Sequence, residues 1–141
     1  MKTFVGAYFF SVDNKGRVFI PASMREKLGK EAVLTRGLDR CLFLFPLEEW
    51  EGIVNSFNSL SFAKKEVRAF LRLLLAGASM VSIDAQGRIQ IPLTLREYAK
   101  LEKEVAIIGV GNRVEIWAKD RWDVYENDVL PRFEEVAEEI F

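Results

Sequence analysis

Apolar and polar positions alternate along two short runs of this chain, set a fixed distance apart. Tyr8, Phe10 and Val12 precede a polar quartet at 13–16, and Val18 and Ile20 follow it. Further on, Val81 and Ile83 precede a second quartet at 84–87, and Ile89 and Ile91 follow that one. A period of two marks half-buried strands, so each quartet reads as the tight turn of a hairpin. Strands are predicted at 4–12 and 17–20, and again at 79–83 and 88–91. Pro21 and Pro92 end the second strand of each pair, because proline cannot donate to a ladder.

The pattern then changes period. Met24 and Leu28, and in the second run Leu95 and Leu101, predict a short helix at 22–28 and another at 93–100. Strands at 31–36 and 41–45 follow the first helix, and strands at 105–108 and 113–117 follow the second. Pro46 opens a helix over 47–57, with Glu48, Glu49 and Glu51 near its positive end. Ser61 is placed to cap a helix over 62–76, whose apolar stripe runs through Phe62, Val67, Phe70, Leu71, Leu74 and Leu75. Lys64, Lys65, Arg68 and Arg72 fall on its other side and read as a solvated face or as a DNA contact. Helices over 119–128 and 132–141 close the chain. Trp50 and Trp122, in matching places after the fourth strand of each half, read as packing anchors.

Behind the matching patterns lies a sequence repeat. Residues 13–26 and 84–97 share seven identities in fourteen ungapped positions, at an offset of 71. The shared residues are Asp13/Asp84, Gly16/Gly87, Arg17/Arg88, Ile20/Ile91, Pro21/Pro92, Arg25/Arg96 and Glu26/Glu97. Aspartate first and glycine fourth suit a type I turn, which gives Asp13, Gly16, Asp84 and Gly87 a structural role. The halves 1–70 and 71–141 are expected to share one core, since about 70 residues bury too little surface to be stable alone.

Charge is nearly balanced, with 20 cations and 21 anions. It is unevenly placed: residues 1–70 carry 11 Lys and Arg against 8 acids, and residues 71–141 carry 9 against 13. The acids gather in the last stretch, which reads as a solvated helix face or a regulatory tail.

Candidate chemistry is narrow. The chain has no histidine, which removes His-based triads and zinc–histidine sites. Its one cysteine, Cys41, cannot build a thiolate cage or an internal disulfide and reads as a core residue. Neither a phosphate loop nor a dinucleotide-binding glycine motif occurs. No catalytic residue, cofactor, metal or small-molecule substrate is therefore expected. Met1-Lys2-Thr3 leads into a strand pattern rather than a secretory signal, and the longest apolar run, near 73–76, is too short for a bilayer.

Nucleic acid fits better. Lys15 and Arg17 sit at one turn and Arg88 at its copy, with Arg25 and Arg96 eight residues beyond their tip arginines. Spaced cations suit phosphates, bidentate arginine suits guanine, and a two-stranded ribbon fits the major groove. Asn14 and Gln86 carry amides able to read adenine edges. The residues alone leave the alternative open: Asp13 with Arg17, and Asp84 with Arg88, also suit ion pairs that only brace the turn.

The doubled pattern Asp-x-x-Gly-Arg-x-x-Ile-Pro-x-x-x-Arg-Glu, with Phe4, Gly6 and Tyr8 ahead of it, resembles the MraZ family of bacterial transcriptional regulators. Single copies are similar to the AbrB and antitoxin group. The resemblance implies a mainly β, α+β fold: a double-split, swapped-hairpin β-barrel of two tandem AbrB-like repeats with appended helices. It implies a cytoplasmic, nucleoid-associated DNA-binding repressor. Such a protein forms a ring-like homo-oligomer on short direct repeats of double-stranded DNA upstream of the cell division and cell wall operon. By this reading Asn14, Lys15, Arg17, Arg25, Arg88 and Arg96 contact DNA, with the first hairpin contributing more than the second. An antitoxin-like partner-binding module and a purely structural oligomer are the alternatives.

Overall fold

The computed structural model describes residues 3–141; Met1 and Lys2, and the reading of them as the start of a signal-free chain, lie outside the described residues. Among the described residues, eight strands and six α-helices follow the two repeats in order. The first copy holds β1 (Ala7–Ser11), β2 (Arg17–Phe19), α1 (Ala22–Leu28), β3 (Glu31–Arg36), β4 (Leu42–Pro46), α2 (Leu47–Ser56) and α3 (Lys65–Ala76). The second holds β5 (Ser79–Ser82), β6 (Arg88–Gln90), α4 (Leu93–Ala99), β7 (Glu104–Val110), β8 (Arg113–Ala118), α5 (Lys119–Val129) and α6 (Phe133–Ile140).

The two copies exchange strands. A six-stranded sheet runs β1-β7-β8-β4-β3-β5, and β2 pairs with β6 in a separate two-stranded ribbon. So β1 of the first copy lies on β7 of the second, from Ala7↔Ile108 to Ser11↔Glu104. Its counterpart β5 lies on β3 of the first copy, from Glu31↔Ser82 to Leu34↔Ser79. All of these pairs are antiparallel. The tight hairpins expected from the alternation are therefore not ladders. β1 and β2 are joined across their turn by the Asp13 N–H to Arg17 carbonyl bond at 3.0 Å, and β5 and β6 by Asp84 N–H to the Arg88 carbonyl at 2.8 Å. Beyond those bonds β1, β2, β5 and β6 each take their partner strand from the other copy, which covers edges that one copy alone would leave open.

Both buried faces turn onto one core. Val18 from β2 and Ile89 from β6 meet Leu34, Leu44, Ile107 and Ile116 from the large sheet. Met24 and Leu28 from α1, and Leu95 and Ala99 from α4, belong to the same cluster. Pro21 and Pro92 stand at the N-caps of α1 and α4 with φ of −54° and −56°, a value the pyrrolidine ring already fixes. On the other side of the sheet a second cluster gathers Cys41, Ala106, Ile108 and Trp117, with Phe43 and Trp122 against it. Trp122 meets Trp117 edge-on at 5.3 Å, and Trp50 lies 5.9 Å from Phe45.

α3 departs from its expected form in two ways. It begins at Lys65, with Lys64 extended at φ −81° and ψ 131° and no side-chain cap from Ser61. Arg68 instead donates to the carbonyls of Phe62 and Ala63, at 3.2 and 2.9 Å, holding that stretch outside the helix. Of its apolar stripe only Leu74 is buried. No helix among the described residues is long and apolar enough to cross a membrane.

Candidate nucleic-acid interface

Each turn is organised by its aspartate. Asp13 Oδ1 accepts the backbone N–H groups of Lys15 and Arg17, both at 2.9 Å, and Oδ2 accepts Arg17 Nε at 2.7 Å. Asp84 repeats this with the N–H groups of Gln86 and Arg88, at 3.0 and 2.8 Å, and with Arg88 Nε at 3.0 Å. The Arg17 N–H leads the effects that hold the Asp13 carboxyl below its ordinary range, at about 2; partial desolvation opposes it, and the Arg17 guanidinium and Lys15 N–H reinforce it. Asp84 is lowered for the same reasons, led by the Arg88 N–H. Gly16 and Gly87 close the turns on the carbonyls of Asp13 and Asp84, at 3.0 and 2.9 Å.

The braced turns feed the ribbon. In β2–β6, Arg17 lies opposite Gln90, Val18 opposite Ile89 and Phe19 opposite Arg88. Val18 and Ile89 are buried beneath the ribbon. Alternation then puts Arg17, Phe19, Arg88 and Gln90 together on its outer face. One arginine comes from each copy. Arg88 sits 5.9 Å over the Phe19 ring, within cation–π range. Gln90 Nε2 donates to the Lys15 carbonyl at 3.0 Å, tying the ribbon to the first turn.

Both tip arginines are half-exposed, with side chains 30% and 20% accessible. Each is held through Nε, which leaves the two terminal nitrogens of the guanidinium for other work. Those of Arg17 have no partner among the described residues, and Arg88 Nη2 reaches Gln86 Oε1 only at 3.4 Å. An arginine fixed at Nε and open at its fork is suited to a phosphate or a guanine edge. The ion pair that braces the turn and the free fork that meets a ligand are thus compatible in one side chain.

Arg25 and Arg96 cross between copies. Arg96 of the second copy lies over Gly16 of the first, where a Cβ would stand 2.5 Å from Arg96 Nε. Its Nε donates to the Ile91 carbonyl at 2.9 Å. Arg25 of the first copy lies in the same way over Gly87 of the second. The first turn therefore gathers Lys15, Arg17 and Arg96, and the second gathers Arg88 and Arg25 with the uncharged Gln86. Arg17, Arg88 and Arg96 line one open cleft of about 510 Å³ together with Asp84 and Gln90. Asn14 and Lys15 are exposed at the first tip.

Phe19 and Gln90 are ribbon-face residues that the repeat did not single out, because they differ between the copies. Their signal was parity: Phe19 lies two residues from Arg17, and Gln90 two from Arg88. Elsewhere the chemistry is sparse. The Cys41 thiol is buried, with its pKa pushed far up chiefly by desolvation. Among the described residues no group of three or more His, Cys, Asp or Glu could hold a metal ion.

Comparison with known proteins gives this geometry a family. The sequence model of the MraZ protein family, described as antitoxin-like, matches twice, over residues 3–73 and 74–140. A protein of Pelotomaculum thermopropionicum named Transcriptional regulator MraZ is 54% identical over 137 residues, 97% of this chain and 94% of its own. Proteins of the same name from Thermoanaerobacter sp. (strain X514) and Acetivibrio thermocellus are each 53% identical. They cover 96% and 97% of this chain, and 95% and 96% of their own. Two matches of one family model, the crossed turns and near-full-length identity above one half lead to one conclusion: the chain belongs to the MraZ family.

Proposed function

We propose that this chain is a transcriptional regulator that binds double-stranded DNA through the outer face of the β2–β6 ribbon and performs no catalysis. The observation that carries the reading is the placement of Arg17 and Arg88, one from each copy, on one face of a two-stranded ribbon, the fork of Arg17 open and that of Arg88 held only by a 3.4 Å bond from Nη2 to Gln86. A ribbon of this width enters the major groove, where arginine reads guanine and flanking cations meet phosphates. Lys15, Arg25 and Arg96 supply the flanking charge, and Asn14 lies at the tip beside them.

One subunit offers only a handful of such contacts, which makes weak, salt-sensitive binding. Several subunits on repeated sites multiply it, since each later contact is effectively intramolecular. As the family resemblance implies, the reading is of a homo-oligomer, ring-like, on short direct repeats upstream of the cell division and cell wall operon. It acts there as a repressor, in the cytoplasm at the nucleoid. Names of relatives as transcriptional regulators support the same reading.

Mobility shift on the chain's own upstream region at two salt concentrations tests it. The regulator binds that region ahead of random competitor, and affinity falls steeply with salt. Arg17→Ala with Arg88→Ala removes binding at physiological salt while the fold survives. A chain whose oligomer is its whole function leaves DNA unshifted at both salts, and that outcome refutes the proposal.

A further inference from the structure

The β2–β6 ribbon has an internal two-fold relation that its outer face does not keep. The offset of 71 between the copies carries Arg17 onto Arg88, Val18 onto Ile89 and Phe19 onto Gln90. The register sets Val18 opposite Ile89 at the centre, flanked by the pairs Arg17–Gln90 and Phe19–Arg88. A dyad through the central pair exchanges the two arginines and leaves them equivalent, but it also exchanges an aromatic ring for an amide. One end of the face is therefore Arg17 beside Gln90, and the other is Arg88 beside Phe19. Their surroundings differ too. The Phe19 ring has Arg88 at 5.9 Å and Phe10 at 6.3 Å, yet 44% of the residue stays exposed. At the other end Val81 stands in the place of Phe10, and Gln90 lines the open cleft with Arg17. Gln90 gives one N–H to the Lys15 carbonyl at 3.0 Å. Its second amide hydrogen and its Oε1 have no partner among the described residues.

We infer that Phe19 and Gln90 give the ribbon a direction on DNA, Phe19 reading a thymine methyl at one end and Gln90 an adenine edge at the other. The inference rests on entry of the ribbon into the major groove and adds what is read there. Two arginines related by a dyad read guanine on one strand and guanine on the other, which is a palindrome. In the major groove adenine offers N7 and its N6 amino group to a glutamine amide, and thymine offers its methyl group to an apolar ring. Neither base substitutes for the other, so a face with phenylalanine at one end and glutamine at the other fits its site in one sense only. Asn14 and Lys15 also differ from their counterparts Ala85 and Gln86, but at the turn tips rather than on the face. The lysine there meets phosphate, which fixes position and carries no sequence. Direct repeats require a sense of this kind, because a palindromic reader has none to repeat.

Base analogues in the chain's own upstream DNA test this. Within one repeat, each thymine in turn becomes uracil, which lacks only the 5-methyl, and each adenine becomes 7-deazaadenine, which lacks N7. Affinities are measured by mobility shift for the wild type, Phe19→Ala and Gln90→Ala, each checked for fold by circular dichroism. For the wild type, one thymine costs about fourfold on becoming uracil, the worth of one buried methyl, and one adenine costs about fivefold. Phe19→Ala is indifferent to that thymine and keeps the adenine preference; Gln90→Ala does the reverse. A ring that served only as a platform for Arg88 would weaken binding and leave the methyl sensitivity in place, and that result overturns the assignment. A wild type indifferent to every analogue overturns it as well. Phe19→Gln supplies a second measurement, since it makes the two ends alike. The bases it selects from randomised DNA become palindromic where those of the wild type are not, and an unchanged selection counts against the assignment. The chain with Arg17→Ala and Arg88→Ala separates the two readings. If that chain still binds DNA, the ribbon reading falls and the direction with it. If it loses DNA while Phe19→Ala and Gln90→Ala keep every wild-type base preference, only the direction falls and the ribbon reading stands.

Discussion

Gly16 and Gly87 turn the backbone through φ of +81° and +85°, a region where a Cβ is unwelcome. Each also lies beneath an arginine from the other copy. Alanine at either position should cost about 1–2 kcal/mol for the left-handed backbone, measured by urea unfolding. It should also push the covering arginine aside, so DNA affinity falls beyond what lost stability explains. Their aspartate neighbours give a pH signature. The folded Asp13 carboxyl titrates at about 2, below its ordinary 3.8. The stabilisation is therefore complete above the ordinary value and is lost as pH falls toward the folded one. Asp13→Asn should melt below wild type at neutral pH, with the gap closing between about pH 4 and pH 2; a gap independent of pH would contradict the bond network. These turn residues were legible because their partners lie within four positions along the chain. The crossing of Arg25 and Arg96 was not, because it depends on which strand of the other copy each helix follows, and no local pattern encodes that.

The ribbon stands between residue chemistry and DNA. Two strands of three residues are marginal alone, so the buried pair Val18 and Ile89 must anchor them to the core. Both are essentially inaccessible. Ile89→Ala should cost about 2–5 kcal/mol and Ile89→Val about 0.5–1.5, by denaturant titration. The larger truncation should also weaken DNA binding, although Ile89 faces away from it. The tips are expected to be unequal, because the first holds Lys15 where the second holds Gln86. Lys15→Ala with Arg17→Ala should flatten the slope of log affinity against log salt by about 1, through the phosphate that Lys15 neutralises, and Gln86→Ala with Arg88→Ala should flatten it less. Equal slopes in both pairs would end the asymmetry argument. Elements of this size were readable as strands from the period-two alternation of Val18 with Ile20 and Ile89 with Ile91. Their pairing was not, because alternation says which side is buried and is silent on the neighbour. For the same reason the α3 stripe was legible as an apolar face, while its periodicity carried no sign that Leu74 alone of it would be buried.

At the scale of the molecule, the swapped strands decide how the chain folds. Cutting between the repeats would strip β1 of β7, β3 of β5 and β2 of β6, leaving each half with open edges and half a core. A half of about 70 residues already buries too small a share of its surface for much stability. Unpaired strands invite association with any available edge. Residues 1–77 and 78–141, made separately, should therefore show little cooperative unfolding or should form swapped dimers in which a second copy of the same half replaces the missing one. Mixed in equal amounts they should recover a single cooperative transition and the near-ultraviolet signal of packed tryptophans. The pseudo-symmetry makes the homodimer of a half a plausible competitor, so the informative measurement is preference: the mixed pair should displace both homodimers, since Val18 is fitted to Ile89 and the β4–β8 contact joins unlike strands. If each half instead melts cooperatively as a monomer, the copies are independent modules. The ribbon that brings Arg17 and Arg88 onto one face would then have no structural reason to form.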